Sequence, residues 1–244
     1  MGSHVSSMPL PRGENDYSTT PIAEEVLQLI LESFNGNITM HLSSYNNMKR
    51  FISKYITSKE ESPLKIADIG SQDVDLVGNY RSLFTSPLWQ YCGVDMSAGA
   101  NVDIVLHDPY HWAELDSNTF DIVISGQALE HIEFFWLAML EIQRILKPGG
   151  ICCLIAPSSG PEHRYPVDCW RFYPDGFRAL AKYANLQVLE VYVQWDSEFY
   201  PDRDAVWNDC VLIAKKPEPE PVGWLGALKR LIKSRDADHY KITN

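Results

Sequence analysis

The chain has 244 residues, 45% of them hydrophobic and 22% charged. That balance fits one globular unit with appendages and excludes collagen, a long coiled coil and wholesale disorder. Lysine and arginine number 21 against 32 aspartates and glutamates, leaving a formal charge of −11, so phosphate backbones are repelled on average and no nucleic-acid partner is expected.

Residues 1–15 open with Met1-Gly2-Ser3-His4 and carry Pro9, Pro11 and Gly13. They read as a tag and polar tail without the apolar core of a secretory signal. Behind Ser18-Thr19-Thr20, residues Ile22, Val26, Leu27, Ile30 and Leu31 recur at helical spacings, and a second helical piece over 45–56 follows Asn35-Gly36-Asn37. Residues 16–62 are therefore expected to form a helical cap.

After the polar run 57–62, short apolar segments alternate with helical ones. The pattern predicts strands over 64–69, 89–94, 102–107, 120–125, 151–156, 188–195 and 209–214. Helices are predicted near 74–84, over 131–146 and from Pro174, with a short segment at 110–115. Lys147-Pro148-Gly149-Gly150 is read as the stop of the long helix. Runs such as Ile122-Val123-Ile124 and Ile151-Cys152-Cys153-Leu154-Ile155 are apolar on both faces, as a parallel sheet covered by helices requires. The fold class is α/β, and in open sheets of this class ligands gather outside the carboxyl ends of the strands.

Those ends carry a consistent set of residues. The first strand runs into Asp68-Ile69-Gly70-Ser71-Gln72-Asp73, a turn in which a glycine permits close approach of a ligand. The second ends at Gly93-Val94-Asp95, placing an acid where ribose hydroxyls can be bound. The third ends in His107-Asp108-Pro109. The fourth ends in Ser125-Gly126-Gln127-Ala128-Leu129-Glu130-His131, and Leu146-Lys147-Pro148-Gly149-Gly150 precedes the fifth. Taken singly, an aspartate after a strand is as well explained by capping the next turn. The joint order is what discriminates.

In that order of motifs, residues 65–216 resemble the class I S-adenosylmethionine-dependent methyltransferases, in particular the small-molecule group with Glu-His after the fourth strand. The resemblance implies a Rossmann-like, mostly parallel seven-stranded sheet, with S-adenosylmethionine as cofactor and S-adenosylhomocysteine as product. It implies that Gly70 faces the methionine portion, Asp95 the ribose, Asp108 the adenine amino group, and Gly126 or Gln127 the amino-acid end. Asp68 would brace the glycine turn, and Ser71, Gln72 and Met96 complete the cofactor-binding set. The family's first motif commonly reads Asp-x-Gly-x-Gly-x-Gly, whereas Gln72 and Val74 stand at its second and third glycines here. A sulfonium cofactor has no pyrophosphate and makes less demand on a glycine-rich anion cradle than a nicotinamide dinucleotide, whose Gly-x-Gly-x-x-Gly turn is absent.

Methyl transfer from an activated sulfonium asks the protein to position the acceptor, exclude water and take up a proton. His131 and His163 are the candidate bases, with Asp168 as an orienting carboxylate. His163 lies in the chain's most distinctive segment, which runs over 157–176 after the fifth strand and carries Arg164, Tyr165, Trp170 and Arg171 as candidate acceptor-binding residues. Aromatics beside charged groups suit a saccharide-like or other small polar acceptor, and the arginines a phosphate or carboxylate. The bland alternative for this segment is a rigid lid whose aromatics merely pack.

Ubiquinone-pathway O-methyltransferases hold a divalent ion with a Glu-x-x-Glu-His cluster. Gln127 replaces the first acid here, and no metal is expected. The segment 194–209, rich in Trp, Tyr and acids, is either a second acceptor-facing loop or a surface connection.

Five cysteines without a Cys-x-x-Cys pair fit reduced thiols in a cytoplasmic protein. Residues 217–244 begin with a Pro-Glu spacer and continue as a short basic helix suited to docking on its own domain or on a second subunit of a homodimer, and too sparsely apolar for stable membrane insertion. The domain plan is thus 1–15 tail, 16–62 cap, 63–216 methyltransferase domain and 217–244 spacer and helix. The expected function is O-methylation of a small polar metabolite; the alternative from another class is a catalytically silent cofactor-binding or scaffold protein.

Overall fold

Strand formation follows the apolar runs closely. The computed structural model describes residues 42–56, 61–74, 78–193 and 207–219. The strands are β1 (Leu64–Ile69), β2 (Trp89–Asp95), β3 (Ile104–Val105), β4 (Phe120–Gly126), β5 (Leu146–Pro157), β6 (Gln187–Val193) and β7 (Asp209–Lys215). They pair in the order β3-β2-β1-β4-β5-β7-β6. The β1–β2, β1–β4, β2–β3 and β4–β5 pairs are parallel, and β7 is antiparallel to both β5 and β6.

The two-residue period of a strand sends alternate side chains to opposite faces. Ile66, Ile122, Ile124, Cys153 and Ile155 pack on one face with Met48 and Phe51 of helix α1 (Leu42–Tyr55). Ala67, Val123, Cys152 and Leu154 pack on the other with α2 (Phe135–Ile145) and α3 (Pro174–Tyr183). Helix α1 is pinned at its far end by Lys54 and Tyr55, which both donate to Glu190 of β6. Helix α3 starts with Pro174 behind the extended Tyr173 and ends before Asn185, whose φ of 53° turns the chain.

Several expectations shift. The helix predicted near 74–84 is reduced, among the described residues, to one 3-10 turn at Tyr80–Leu83 capped by the Asn79 side chain; Gly78 and the polar Asn79 interrupt the apolar period. The third strand is two residues long, and 110–115 holds no helix or strand. The long helix starts at Phe135, four residues late, because a 3-10 turn at Leu129–His131 precedes it. Lys147-Pro148-Gly149-Gly150 is not a helix-ending turn. It bulges out of the β4–β5 ladder, whose register jumps from Phe120↔Leu146 to Ile122↔Ile151, with Gly149 at φ 76° making the bend. The predicted helix from Pro21, most of 194–209 and the basic helix near the C-terminus lie outside the described residues.

One aromatic stack bears on the site. Phe177 of α3 is fully buried and stacks on Phe172 at 5.0 Å, which meets Phe135 of α2 edge-on at 5.0 Å. This fixes where the segment following β5 rejoins the domain. Phe177→Ala is expected to cost about 3–4 kcal/mol of stability, as large buried aromatics do when truncated; urea titration followed by tryptophan fluorescence measures it.

Candidate active site

The sheet order reverses between β1 and β4, so the connections leaving these strands diverge and open a crevice at their carboxyl ends. At the β1 end the backbone turns at Gly70, with φ 74°. The amides of Gly70 and Ser71 donate to the Val94 carbonyl at 2.9 and 3.2 Å, and that of Gln72 donates to Asp95 Oδ2 at 3.0 Å. Asp95 Oδ1 accepts from Ser97 N at 3.2 Å. The Asp95 carboxylate thereby clips the β1 turn to the β2 end, and each oxygen keeps lone-pair capacity for a further donor.

The turn is held by Val94 and Asp95. Asp68 is engaged elsewhere: it is buried and accepts a hydrogen bond from the Tyr91 hydroxyl. Burial pushes its carboxyl up to about 7.

Met96 is exposed beside Asp95, and Asp108 is exposed at the β3 side. Asp108 Oδ1 caps the following turn by accepting from Tyr110 N at 2.7 Å and His111 N at 2.9 Å. Gly126 lies under a ring: a Cβ there would come within 1.9 Å of Tyr80 Oη. Gln127 has φ 57° and donates to Asp209 Oδ1 at 2.9 Å and Ser44 Oγ at 3.3 Å. Ser44 also shares a 2.6 Å bond with Tyr80 Oη, and Ser43 donates to Asp209 Oδ2 at 2.6 Å. Ser43, Ser44, Tyr80 and Asp209 thus form a buried polar floor that joins α1 to the β4 end. Sequence spacing gave no sign of it, because its members come from three separate segments.

The donor set suits an adenosyl group. An accessible carboxylate for a diol, an apolar thioether beside it and a further carboxylate at β3 are ranged along one edge of the sheet.

The second cluster is built by the segment after β5. Its later part is tied down twice: Cys169 N donates to the Glu130 carbonyl at 2.8 Å, and Phe172 N to the Pro157 carbonyl at 2.8 Å. Arg171 staples it internally with a two-pronged ion pair to Asp168 at 2.6 and 2.8 Å and bonds to the carbonyls of Trp170 and Pro161. That guanidinium holds the Asp168 carboxyl far below the usual range. Asp168 also accepts from His163 N at 2.7 Å and lies 3.3 Å from His163 Nδ1.

His131 and His163 are brought together, with ring centroids 4.9 Å apart, and Tyr165 lies edge-on to both at 5.9 and 6.1 Å. Trp207, from the 194–209 segment read in the sequence as either a second acceptor-facing loop or a surface connection, covers His163 at 4.6 Å. Glu130 stands beside His131 with Oε1 3.7 Å from Nε2. It is fully buried, and burial pushes its carboxyl up to about 8.

Two expected acceptor residues stand apart. Arg164 is exposed and paired with Glu162. Trp170 packs on Phe135 and Trp136 and donates to the Glu133 carbonyl at 3.0 Å. Arg171 is committed to building the loop. Both arginines thus carry local ion pairs, with an acid two or three residues away.

The comparisons agree with this architecture. The family described as "Methyltransferase domain" matches residues 74–154. No curated protein matches the chain. Among solved structures, a protein described as a sarcosine dimethylglycine methyltransferase from Galdieria sulphuraria shares 15% identity at a TM-score of 0.53, covering 71% of this chain and 86% of that one. The [4+2]-cyclase SpnF shares 15% identity at 0.53, covering 81% and 94%. The YcgJ protein from Bacillus subtilis shares 16% at 0.52, covering 73% and 100%. At these identities the likeness concerns the fold, and one neighbour is a cyclase, so the fold alone does not name a reaction.

Residues 74–154 thus match a methyltransferase domain, set on a Rossmann-like sheet, and the cofactor of that domain is S-adenosylmethionine.

Asp68 supplies a test of the site's electrostatics. Its folded value lies above its ordinary 3.8, so between about pH 4 and 7 the native state keeps a proton that the unfolded chain has lost. Its contribution to stability is full at pH 4 and declines as pH rises through 7. Asp68→Asn, which keeps an acceptor for Tyr91, is expected to gain on the parent chain by on the order of 1–3 kcal/mol between pH 4 and 8. Urea titrations at several pH values read this directly, and a pH-independent difference would contradict it.

Proposed function

We propose that the protein is an S-adenosylmethionine-dependent O-methyltransferase acting on a hydroxyl of a saccharide-like or other small polar metabolite. The observation that carries this reading is the pairing of His131 with His163 at the carboxyl edge, beside the fourth-strand turn and backed by Asp168. Hydroxyl acceptors lose a proton on methylation, and imidazoles oriented by a carboxylate suit that task. Tyr165 gives the cluster an exposed aromatic edge on which a sugar ring can rest. All five cysteines are free, which supports a reducing, cytoplasmic setting. No helix among the described residues is long and apolar enough to cross a membrane.

In this reading Gly70, Ser71 and Gln72 border the methionine portion, Asp95 binds the ribose diol, Met96 and Asp108 flank the adenine, and Gly126 and Gln127 border the amino-acid end. The cofactor, when bound, supplies a methyl group already activated by a sulfonium. The chain's own residues then position the acceptor, shield it from water under the 157–176 segment and α1, and accept its proton at an imidazole nitrogen.

Two variants separate binding from chemistry. Asp95→Ala is expected to weaken S-adenosylhomocysteine binding by at least about tenfold through lost charge-assisted hydrogen bonds. His163→Ala is expected to leave that affinity within about twofold while lowering turnover on a hydroxyl acceptor by about a hundredfold. Calorimetry and a panel of sugar and small-metabolite acceptors measure the two effects. Unchanged turnover in His163→Ala, or transfer only to amines, would overturn the reading.

A further inference from the structure

We propose that Glu130, His131 and His163 form a binding site for a divalent transition-metal ion of the Zn²⁺ or Co²⁺ type. Each residue offers one ligand atom, and these three atoms lie within 4.8 Å of one another, the one such cluster among the described residues.

The second observation is the state of Glu130. Its side chain is wholly buried, and neither carboxylate oxygen has a hydrogen-bond partner. A carboxylate in that position is strongly unfavourable unless a cation reaches it. The neighbouring guanidinium does not fill the role, because the hydrogen bonds of Arg171 go to Asp168 and to the carbonyls of Trp170 and Pro161.

His131 is prepared as a ligand. Its Nδ1 is 2.6 Å from the Val167 carbonyl, an acceptor, so that nitrogen carries the proton. The lone pair is then on Nε2, the nitrogen that faces Glu130 Oε1 at 3.7 Å. A backbone carbonyl on the far nitrogen is the usual support that fixes tautomer and ring orientation in metal-binding histidines. Asp168 holds the second histidine by accepting from its backbone amide at 2.7 Å and lies 3.3 Å from its Nδ1. The loop carrying Val167, His163 and Asp168 is anchored to the Glu130 backbone, so all three donors are held by one tethered unit.

Two imidazoles and one carboxylate make a nitrogen-rich set that suits Zn²⁺ or Co²⁺ over Mg²⁺ and Ca²⁺, which take oxygen. Three protein ligands leave coordination positions open, and a hydroxyl bound there is acidified, so in the metal-bound state the ion, and not an imidazole nitrogen, lowers the acceptor's hold on its proton. That use of the ion rests on the O-methyltransferase reading; its binding does not.

The test uses the full chain, stripped with a chelator and dialysed. Titration with Co²⁺, followed by visible absorption, and with Zn²⁺, followed by calorimetry, is expected to show a single equivalent bound, without competition from millimolar Mg²⁺. Glu130→Gln, which is nearly isosteric, and His163→Ala are each expected to weaken binding by at least about tenfold. S-adenosylhomocysteine titration of the same samples checks that they are folded and cofactor-competent. A parent chain that binds the cofactor product but no stoichiometric Co²⁺ or Zn²⁺ would overturn the metal site and leave the methyltransferase reading intact. So would metal binding unaffected by either variant. Stoichiometric metal binding in a protein that methylates no hydroxyl would sustain the site and overturn that reading.

Discussion

The reversal of strand order between β1 and β4 is the constraint on which the rest depends. Parallel strands need crossovers, and where successive crossovers diverge the sheet leaves an edge that no helix covers. Hydrogen bonds then decide what that edge looks like. The Val94 carbonyl and Asp95 carboxylate capture three successive amides of the β1 turn, so β1 and β2 present one continuous rim. On the other side, the Glu130 carbonyl takes up the amides of Cys169 and Trp170, bringing the segment after β5 back over the β4 end. Without these tethers the glycine turn and the histidines would belong to separate loops.

The edge is also where the fold tolerates charge inside. Asp68 and Glu130 are both buried acids whose surroundings disfavour ionisation, whereas Asp168 is held ionised by Arg171. Acids with pKa values driven in opposite directions within one region are a common mark of a functional site, because packing alone rarely selects buried carboxylates. Asp209 belongs to the same picture: it is buried at the start of β7 and bonded to Ser43 and Gln127. Helix α1 therefore contributes to the floor of the crevice as well as covering a face of the sheet, and a helix outside the strand–helix alternation enters the site through two serines.

Legibility in the sequence followed the length and strength of each local pattern. Runs apolar on both faces, such as Ile122-Val123-Ile124, declared buried parallel strands, and each such segment is a strand. Weak patterns misled. The 74–84 stretch carries apolar residues at helical spacing, yet Gly78 and Asn79 confine its described part to a 3-10 turn. Lys147-Pro148-Gly149-Gly150 looks like a helix stop, but Leu146 already pairs with Phe120, so the ladder resumes around the insertion as a bulge. In the 157–176 segment the sequence named His163 and Asp168 as catalytic candidates, and the structure places them side by side. The sequence also made Arg171 a ligand-binding candidate, although Asp168 at three residues' distance claims that guanidinium.

By itself, the sequence determined the fold class, the cofactor-type edge and the order of residues along it, because strand ends and turn glycines are properties of contiguous chain. Only the tertiary structure decided which side chains meet. His131 and His163 are separated by a whole helix and strand, Gln127 turns away to Asp209, and Trp207 arrives from the far side of β6. Such meetings depend on crossover geometry and on which loop amides find an acceptor, and those are settled only when the whole sheet closes its hydrogen bonds.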